Sequence, residues 1–303
     1  GGWKGESHGG FIPTCETAAF IIAGNNLSKR FKLLSYFEGD GILIKNSILT
    51  LEHKSSGEPF MSAAVRISSE YLNRLTSGVY QKPDYSMNFP AKLITTKLTW
   101  SDLILPMEVQ EEIENIITWI KNSRVILEDW GLDKVIKPGY RSLFYGPPGT
   151  GKTLTASLIG SIVGADVYRI DLSMVVSKYI GETEKNLANV FDQAQSKNWI
   201  LFFDEADALF GKRTQASSSN DRYANQEISY LLQRVEDFPG VVILASNIKA
   251  NIDEAFSRRF QSIVYFPTPD NEHRLLLWKR ILGNTQNLSL DISLEKLAED
   301  YEL

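Results

Sequence analysis

Residues 146–153 read Gly146-Pro147-Pro148-Gly149-Thr150-Gly151-Lys152-Thr153, a complete G-x-x-x-x-G-K-[ST] loop. Its flanks are what such a loop requires: a buried strand before it and a packed helix after it. Ser142-Leu143-Phe144-Tyr145 is a short apolar run, and Leu154 to Val163 carries apolar residues at 154, 156, 158, 159, 162 and 163. Glycine lets backbone N–H groups approach a phosphate chain with no Cβ in the way, and the helix that follows adds positive potential at its N-terminus. Gly146 to Leu154 is therefore the candidate cofactor-binding segment for a nucleoside triphosphate. Lys152 is expected at the β- and γ-phosphates, and the Thr153 hydroxyl on Mg²⁺.

Working outward, the chain alternates strands and helices after Trp100. Val109 to Leu127 is amphipathic and helical. Short apolar strands are expected at Ser142–Tyr145, Val167–Ile170, Trp199–Phe203, Val241–Ala245 and Ile263–Phe266. Near-continuous apolar strands separated by helices imply an α/β fold, a parallel sheet covered on both faces. Ligands of such sheets bind beyond the carboxyl ends of the strands.

The strand Trp199–Phe203 runs straight into Asp204-Glu205-Ala206-Asp207. Delivering adjacent carboxylates from a buried strand is costly unless a cation or a reaction uses them. Asp204 is placed to hold Mg²⁺ jointly with Thr153, and Glu205 to polarise an attacking water as general base. Asp207 reads as a structural cap or pairing group. Val241–Ala245 ends in Ser246-Asn247, where the Asn247 amide can orient water or sense the γ-phosphate; alone, Ser-Asn after a strand is also an ordinary turn. Arg258-Arg259 suit a contact with a neighbouring subunit's γ-phosphate, although paired surface arginines are common. In Ser177-Lys178-Tyr179-Ile180-Gly181-Glu182, Tyr179 can grip an extended polypeptide, or the segment is simply a helix start.

Before this region lies a smaller one. Leu27, Phe31, Leu34 and Phe37 have helical spacing, Gly39-Asp40-Gly41 marks a turn, Ile42 to Leu51 has strand composition, and Glu70 to Leu75 looks helical. Gln81 to Pro90 interrupts any period. The domains expected are 1–85, a small α+β winged-helix-like head that docks clients or merely packs; 86–99, a linker; 100–268, the nucleotide-binding part; and 269–303, a partial helical lid with helices at Asn271–Leu282 and Leu294–Glu299.

Charge and composition exclude other classes. Residues 1–98 hold 11 Lys/Arg against 8 Asp/Glu, and residues 99–303 hold 21 against 29, so neither part is a basic nucleic-acid footprint. A nucleic-acid partner is disfavoured. No apolar run approaches the ~18 residues of a membrane span. The single Cys15 fits a reducing compartment, so a cytoplasmic location is expected; with three scattered histidines, a zinc site is not. The first residue is Gly1 rather than Met, which suggests a trimmed or partial chain.

These motifs together resemble the AAA ATPases of the katanin, spastin and endosomal-sorting group, from about Trp100 to Leu282. Gly146–Thr153 is similar to Walker A, Phe202-Phe203-Asp204-Glu205 to Walker B, and Asn247 to sensor 1. Asp253-Glu254-Ala255-Phe256-Ser257-Arg258-Arg259-Phe260 is similar to the second region of homology, whose two arginines act as fingers in trans. Lys178, Tyr179 and Ile180 fall in the first pore loop, and Arg222 where the second is expected. The resemblance implies a P-loop NTPase three-layer sandwich with a five-stranded parallel sheet in the order 5-1-4-3-2. It also implies ATP and Mg²⁺ as cofactors, hydrolysis to ADP and phosphate, a homo-oligomer of hexamer type and a protein client. Glu205, Asn247, Arg258 and Arg259 are then the catalytic set, and Thr153 and Asp204 the metal set. Asp204 to Thr214, Asp221–Asn225 and Asn88-Phe89-Pro90-Ala91 also look like bacterial AAA ATPases found with contractile injection systems, which carry a winged-helix-like head. Two features depart from the family. Trp100–Leu105, the adenine-contacting stretch, lacks the usual Gly, and the chain stops before a sensor 2 motif. The competing readings are an ATP-gated assembly scaffold that does little mechanical work and a nucleic-acid remodeller.

Overall fold

The computed structural model describes residues 2–4, 10–38, 41–45, 48–52, 57–78, 82–86, 89–172, 182–207, 219–247, 257–282 and 293–301. The chain divides into two compact units, Gly1–Pro83 and Asp84–Leu303.

In the first unit, strands β1 (Gly2–Lys4) and β2 (Phe11–Pro13) pair antiparallel. Helix α1 (Cys15–Ala23) begins where the Thr14 hydroxyl accepts the Thr17 N–H, and α2 (Leu27–Phe37) where Asn26 accepts from Lys29. These side-chain acceptors satisfy N–H groups that a helix cannot pair internally. The stretch 42–51, read as strand-like, divides into a short helix α3 (Ile42–Lys45) and strand β3 (Leu49–Glu52), which pairs antiparallel with β4 (Ala64–Ile67). Over Leu49–Glu52 the residues alternate inward and outward as a half-buried strand requires. Helix α4 (Ser69–Ser77) follows β4, and a small core gathers Cys15, Phe37 and Ala63, with Leu49, Leu51, Met61 and Val65 against it.

Among the described residues the second unit has six strands: β5 (Lys92–Ile94), β6 (Tyr140–Tyr145), β7 (Val167–Asp171), β8 (Ile200–Asp204), β9 (Val241–Ser246) and β10 (Ser262–Tyr265). They lie in the order β10-β6-β9-β8-β7-β5, and the first five are mutually parallel. The expected five-stranded, all-parallel sheet is thus corrected to a mixed sheet of six. Residues 92–94, placed in the linker from sequence, add an antiparallel edge strand along β7.

Among the described residues, four helices, α5 (Met107–Arg124), α6 (Lys152–Val163), α7 (Glu182–Lys197) and α8 (Ser219–Asp237), provide the helical layers, and two more, α9 (Asn271–Leu282) and α10 (Leu294–Asp300), form a C-terminal pair. On one face of the sheet Phe144, Val167, Ile200, Phe202 and Ile243 pack with Ile113 and Ile116 of α5 and Ala156 and Ile159 of α6. On the other, Leu143, Tyr168, Leu201, Phe203 and Leu244 pack with Val190 and Phe191 of α7 and Leu231 and Val235 of α8. Alternate residues of each strand serve opposite cores, which is why the strands read as continuous apolar runs. Each fully buried Leu, Ile or Phe contributes about 1.5–3 kcal/mol. Among the described residues no helix is long and apolar enough to cross a membrane.

Candidate active site

The carboxyl ends of β6, β8, β9 and β10 are stitched together by backbone hydrogen bonds that run past the strands. Gly146 N–H donates to Ser246 O at 3.2 Å, Ala206 N–H to Ala245 O at 2.8 Å, and Phe266 N–H to Tyr145 O at 2.8 Å. Gly146 has φ of +145° and lies against the Phe266 carbonyl, where a Cβ would overlap it. Gly149 (φ +81°) and Gly151 (φ +95°) also sit at positive φ, which glycine adopts without a steric cost. Helix α6 starts directly after Gly151. The Leu103 side chain lies 3.9 Å from where a Gly151 Cβ would stand, so the Trp100–Leu105 stretch lies beside the loop.

Lys152 is 7% exposed, and its ammonium donates to the Gly146 and Pro147 carbonyls at 2.7 and 2.8 Å. Burial pushes its pKa below the usual lysine value, while attraction to Asp204 and Asp207 pulls the other way. An ammonium has three donors, so a phosphate oxygen can take one in a site already short of water. Thr150 donates to Pro147 O at 2.9 Å, tightening the same turn.

Asp204 ends β8 with its carboxylate 19% exposed. Oδ1 accepts the Glu205 N–H at 3.0 Å, and Oδ2 is held by Arg169 Nη2 at 2.9 Å. Each carboxylate oxygen has a second lone pair, so the group can still donate to a metal ion or accept a hydrogen bond from its waters. Glu205 is exposed and has φ of +52°, uncommon for a residue with a Cβ and a mark of constrained backbone. Asp207 accepts from the Ser246 hydroxyl and from the Asn247 N–H, the latter at 3.1 Å. It thereby bolts the exit of β8 to the exit of β9, the capping role read from sequence.

Lys152, Asp204, Asp207, Ser246 and Asn247 are thus brought to one edge of the sheet. Arg258 and Arg259 are not. Ser262 pairs with Ser142, so the two arginines precede the amino end of β10. The five-residue rise from Arg141 to Gly146 separates the two edges by about 17 Å. Both arginines are exposed, and Arg259 Nε pairs with Glu236 Oε1 at 2.9 Å. Lys178, Tyr179 and Ile180 lie outside the described residues, as do 253–256 of the arginine-bearing motif; Arg222 falls within α8.

The donors present fit a nucleotide-bound Mg²⁺. Among the described residues there is no cluster of three or more His, Cys, Asp or Glu able to hold a metal alone. A threonine hydroxyl and one carboxylate are what Mg²⁺ takes when phosphate oxygens and waters complete its shell. Three contributors were not found from sequence. Arg169 interrupts an apolar strand, and that interruption was its one signal. Arg141, 4% exposed, donates to the Glu236 carbonyl at 2.6 Å, and burial lowers its pKa. Arg280 of α9 holds Asp102 through Nε at 2.7 Å, joining the C-terminal helices to the 3₁₀ turn Trp100–Asp102.

Comparison with known proteins agrees with this geometry. Residues 142–268 match the model of the ATPase family associated with various cellular activities (AAA). The chain is 33% identical over 216 residues to Cell division protein C of Sulfolobus acidocaldarius, covering 68% of this chain and 56% of that protein. It is 29% identical over 215 residues to Vacuolar protein sorting-associated protein 4 of Dictyostelium discoideum, covering 69% and 47%. The chain therefore spans about half the length of these relatives. Among solved structures, the FIGL-1 AAA domain in complex with ADP aligns with a TM-score of 0.54 at 27% identity, covering 69% of this chain and 68% of that one. On the loop at 146–153, the strand-end carboxylates and these likenesses, the chain carries an AAA-family ATPase domain.

Proposed function

We propose that the chain is the ATPase part of a ring-forming, Mg²⁺-dependent motor that hydrolyses ATP and remodels a protein client. The observation that carries it is the split between the two edges of the sheet. Lys152, Asp204, Glu205 and Asn247 stand at the carboxyl edge, and Arg258-Arg259 at the amino edge. With about 17 Å between the edges, the arginines serve a neighbour's phosphate rather than their own. In this reading Lys152 and the loop N–H groups bind the phosphates, and Thr153 and Asp204 hold the Mg²⁺, which neutralises phosphate charge. Glu205 takes the water's proton, Asn247 orients that water, and the arginines offset developing charge. A hexamer, a pore lined by Lys178, Tyr179 and Ile180, and a winged-helix-like head in residues 1–85 complete the account. The relatives whose names concern cell division and vacuolar protein sorting support a protein client. A contractile injection system component is the client we infer from the motifs at 204–214 and 221–225.

The test is the ATPase rate per subunit across protein concentration. It should rise as rings assemble for the wild type and stay at the dilute level for Arg258→Ala and Arg259→Ala, with ATP affinity retained. Tyr179→Ala should keep the assembled rate and lose ATP-driven unfolding of a tailed fluorescent protein. A wild-type rate independent of concentration contradicts the ring, and unfolding unchanged in Tyr179→Ala contradicts the gripping role.

A further inference from the structure

Strand β7 reads Val167-Tyr168-Arg169-Ile170-Asp171, and its one cation is flanked by residues that are fully buried. The register pairs Arg169 with Phe202 and Asp171 with Asp204. Paired residues of parallel strands point to one face, and alternate residues of a strand share a face. Arg169 and Asp204 therefore rise on the side where Phe202 packs against α6, the helix that begins with Lys152 and Thr153.

The guanidinium is 40% exposed and its Nη2 meets Asp204 Oδ2 at 2.9 Å, while Nε is buried and has no hydrogen-bond partner among the described residues. An unsatisfied buried N–H is unfavourable, so packing alone does not account for an arginine here. Its charge is directed at a single carboxylate. The carboxylate thus has a cationic neighbour, Arg169, before any divalent ion arrives.

We propose that Arg169 is a resident counter-ion of Asp204 that competes with the divalent ion for this carboxylate and so sets the Mg²⁺ concentration at which the nucleotide site fills. The proposal rests on Asp204 being the metal-holding carboxylate. A cation near Asp204 repels Mg²⁺ directly and also neutralises the charge that attracts it. At about 6 Å in a water-screened site, repulsion between a unit and a divalent charge corresponds to roughly a tenfold change in affinity. Arg169 is a positioning residue: it acts on the metal only through Asp204.

The experiment titrates Mg²⁺ into the full chain saturated with a ribose-labelled fluorescent ADP and reads the half-point of the fluorescence change, with no turnover involved. Arg169→Gln and Arg169→Met should lower the half-point about tenfold, and Arg169→Lys, which keeps the charge, should stay within about twofold of wild type. Asp204→Ala should raise the half-point, and adding Arg169→Gln to it should then change little. Half-points for Arg169→Gln and Arg169→Met at or above that of wild type, in proteins that melt normally, overturn the proposal while leaving Asp204 in its role if Asp204→Ala still weakens Mg²⁺. A half-point unmoved by Asp204→Ala overturns the metal assignment itself. Should both neutral variants fail to fold, a half-point for Arg169→Lys shifted well beyond twofold overturns the competition by charge.

Discussion

The Asp207 carboxylate accepts the backbone N–H of Asn247 at 3.1 Å and the hydroxyl of the buried Ser246 beside it. One side chain leaving β8 therefore fixes where β9 delivers its amide. Asp207→Ala leaves both donors without that acceptor. Hydrogen bonds to charged groups are worth about 1.5–3 kcal/mol, so denaturant unfolding should show a loss of that order. Turnover should fall at least ~10-fold with nucleotide affinity nearly unchanged, because the phosphate loop is untouched. Unaltered turnover would separate Asn247 from the reaction.

Gly146 is the loop glycine whose replacement is least tolerable. Its φ of +145° and its contact with the Phe266 carbonyl leave no space for a methyl group. Gly146→Ala should cost about 1–3 kcal/mol for the backbone conformation alone, and more for displacing Phe266. Calorimetry should record a lower Tm, and labelled ADP should no longer bind. Gly149→Ala has open space around the new methyl group, so its penalty should come from φ alone.

Asp102 links the C-terminal helices to the turn beside the phosphate loop. Its pKa is lowered to about 2, first by the Thr99 hydroxyl, then by the Thr99 N–H, and then by Arg280. An unfolded aspartate titrates near ~3.9. A folded pKa below the unfolded one stabilises the fold at pH above about 4, and that contribution is lost as pH falls through about 2. Asp102→Asn should remove this part of the acid dependence. By NMR titration, Thr99→Val should raise the Asp102 pKa more than Arg280→Ala does; the reverse order would make the inter-helix ion pair, rather than the local cap, the dominant partner.

Much of the second unit is legible in the sequence because each central strand is buried on both faces. Val167–Ile170 and Val241–Ala245 were expected within one residue of where β7 and β9 run. The misses have physical causes. β5 is three residues at a sheet edge, too short to show a period. β6 begins at Tyr140, two residues earlier than the apolar run, because Arg141 is buried through hydrogen bonds to Gly139 and Glu236 carbonyls rather than by being apolar. Arg280 and Asp102 are 178 residues apart, and no local pattern pairs them. The loop at 146–153 is the opposite case: its chemistry is local, so its spacing, together with the apolar strand before it and the helix after it, is readable in the sequence.

The central claim is that the carboxyl edge of the sheet hydrolyses a nucleotide with Glu205 as base. The measurement that tests it most directly is single-turnover ATP hydrolysis by Glu205→Gln, alongside its affinity for ATP and Mg²⁺. Removing a general base typically costs 10²–10⁴-fold. The account predicts wild-type binding with hydrolysis slowed at least ~100-fold, and near-normal hydrolysis by the variant would contradict it.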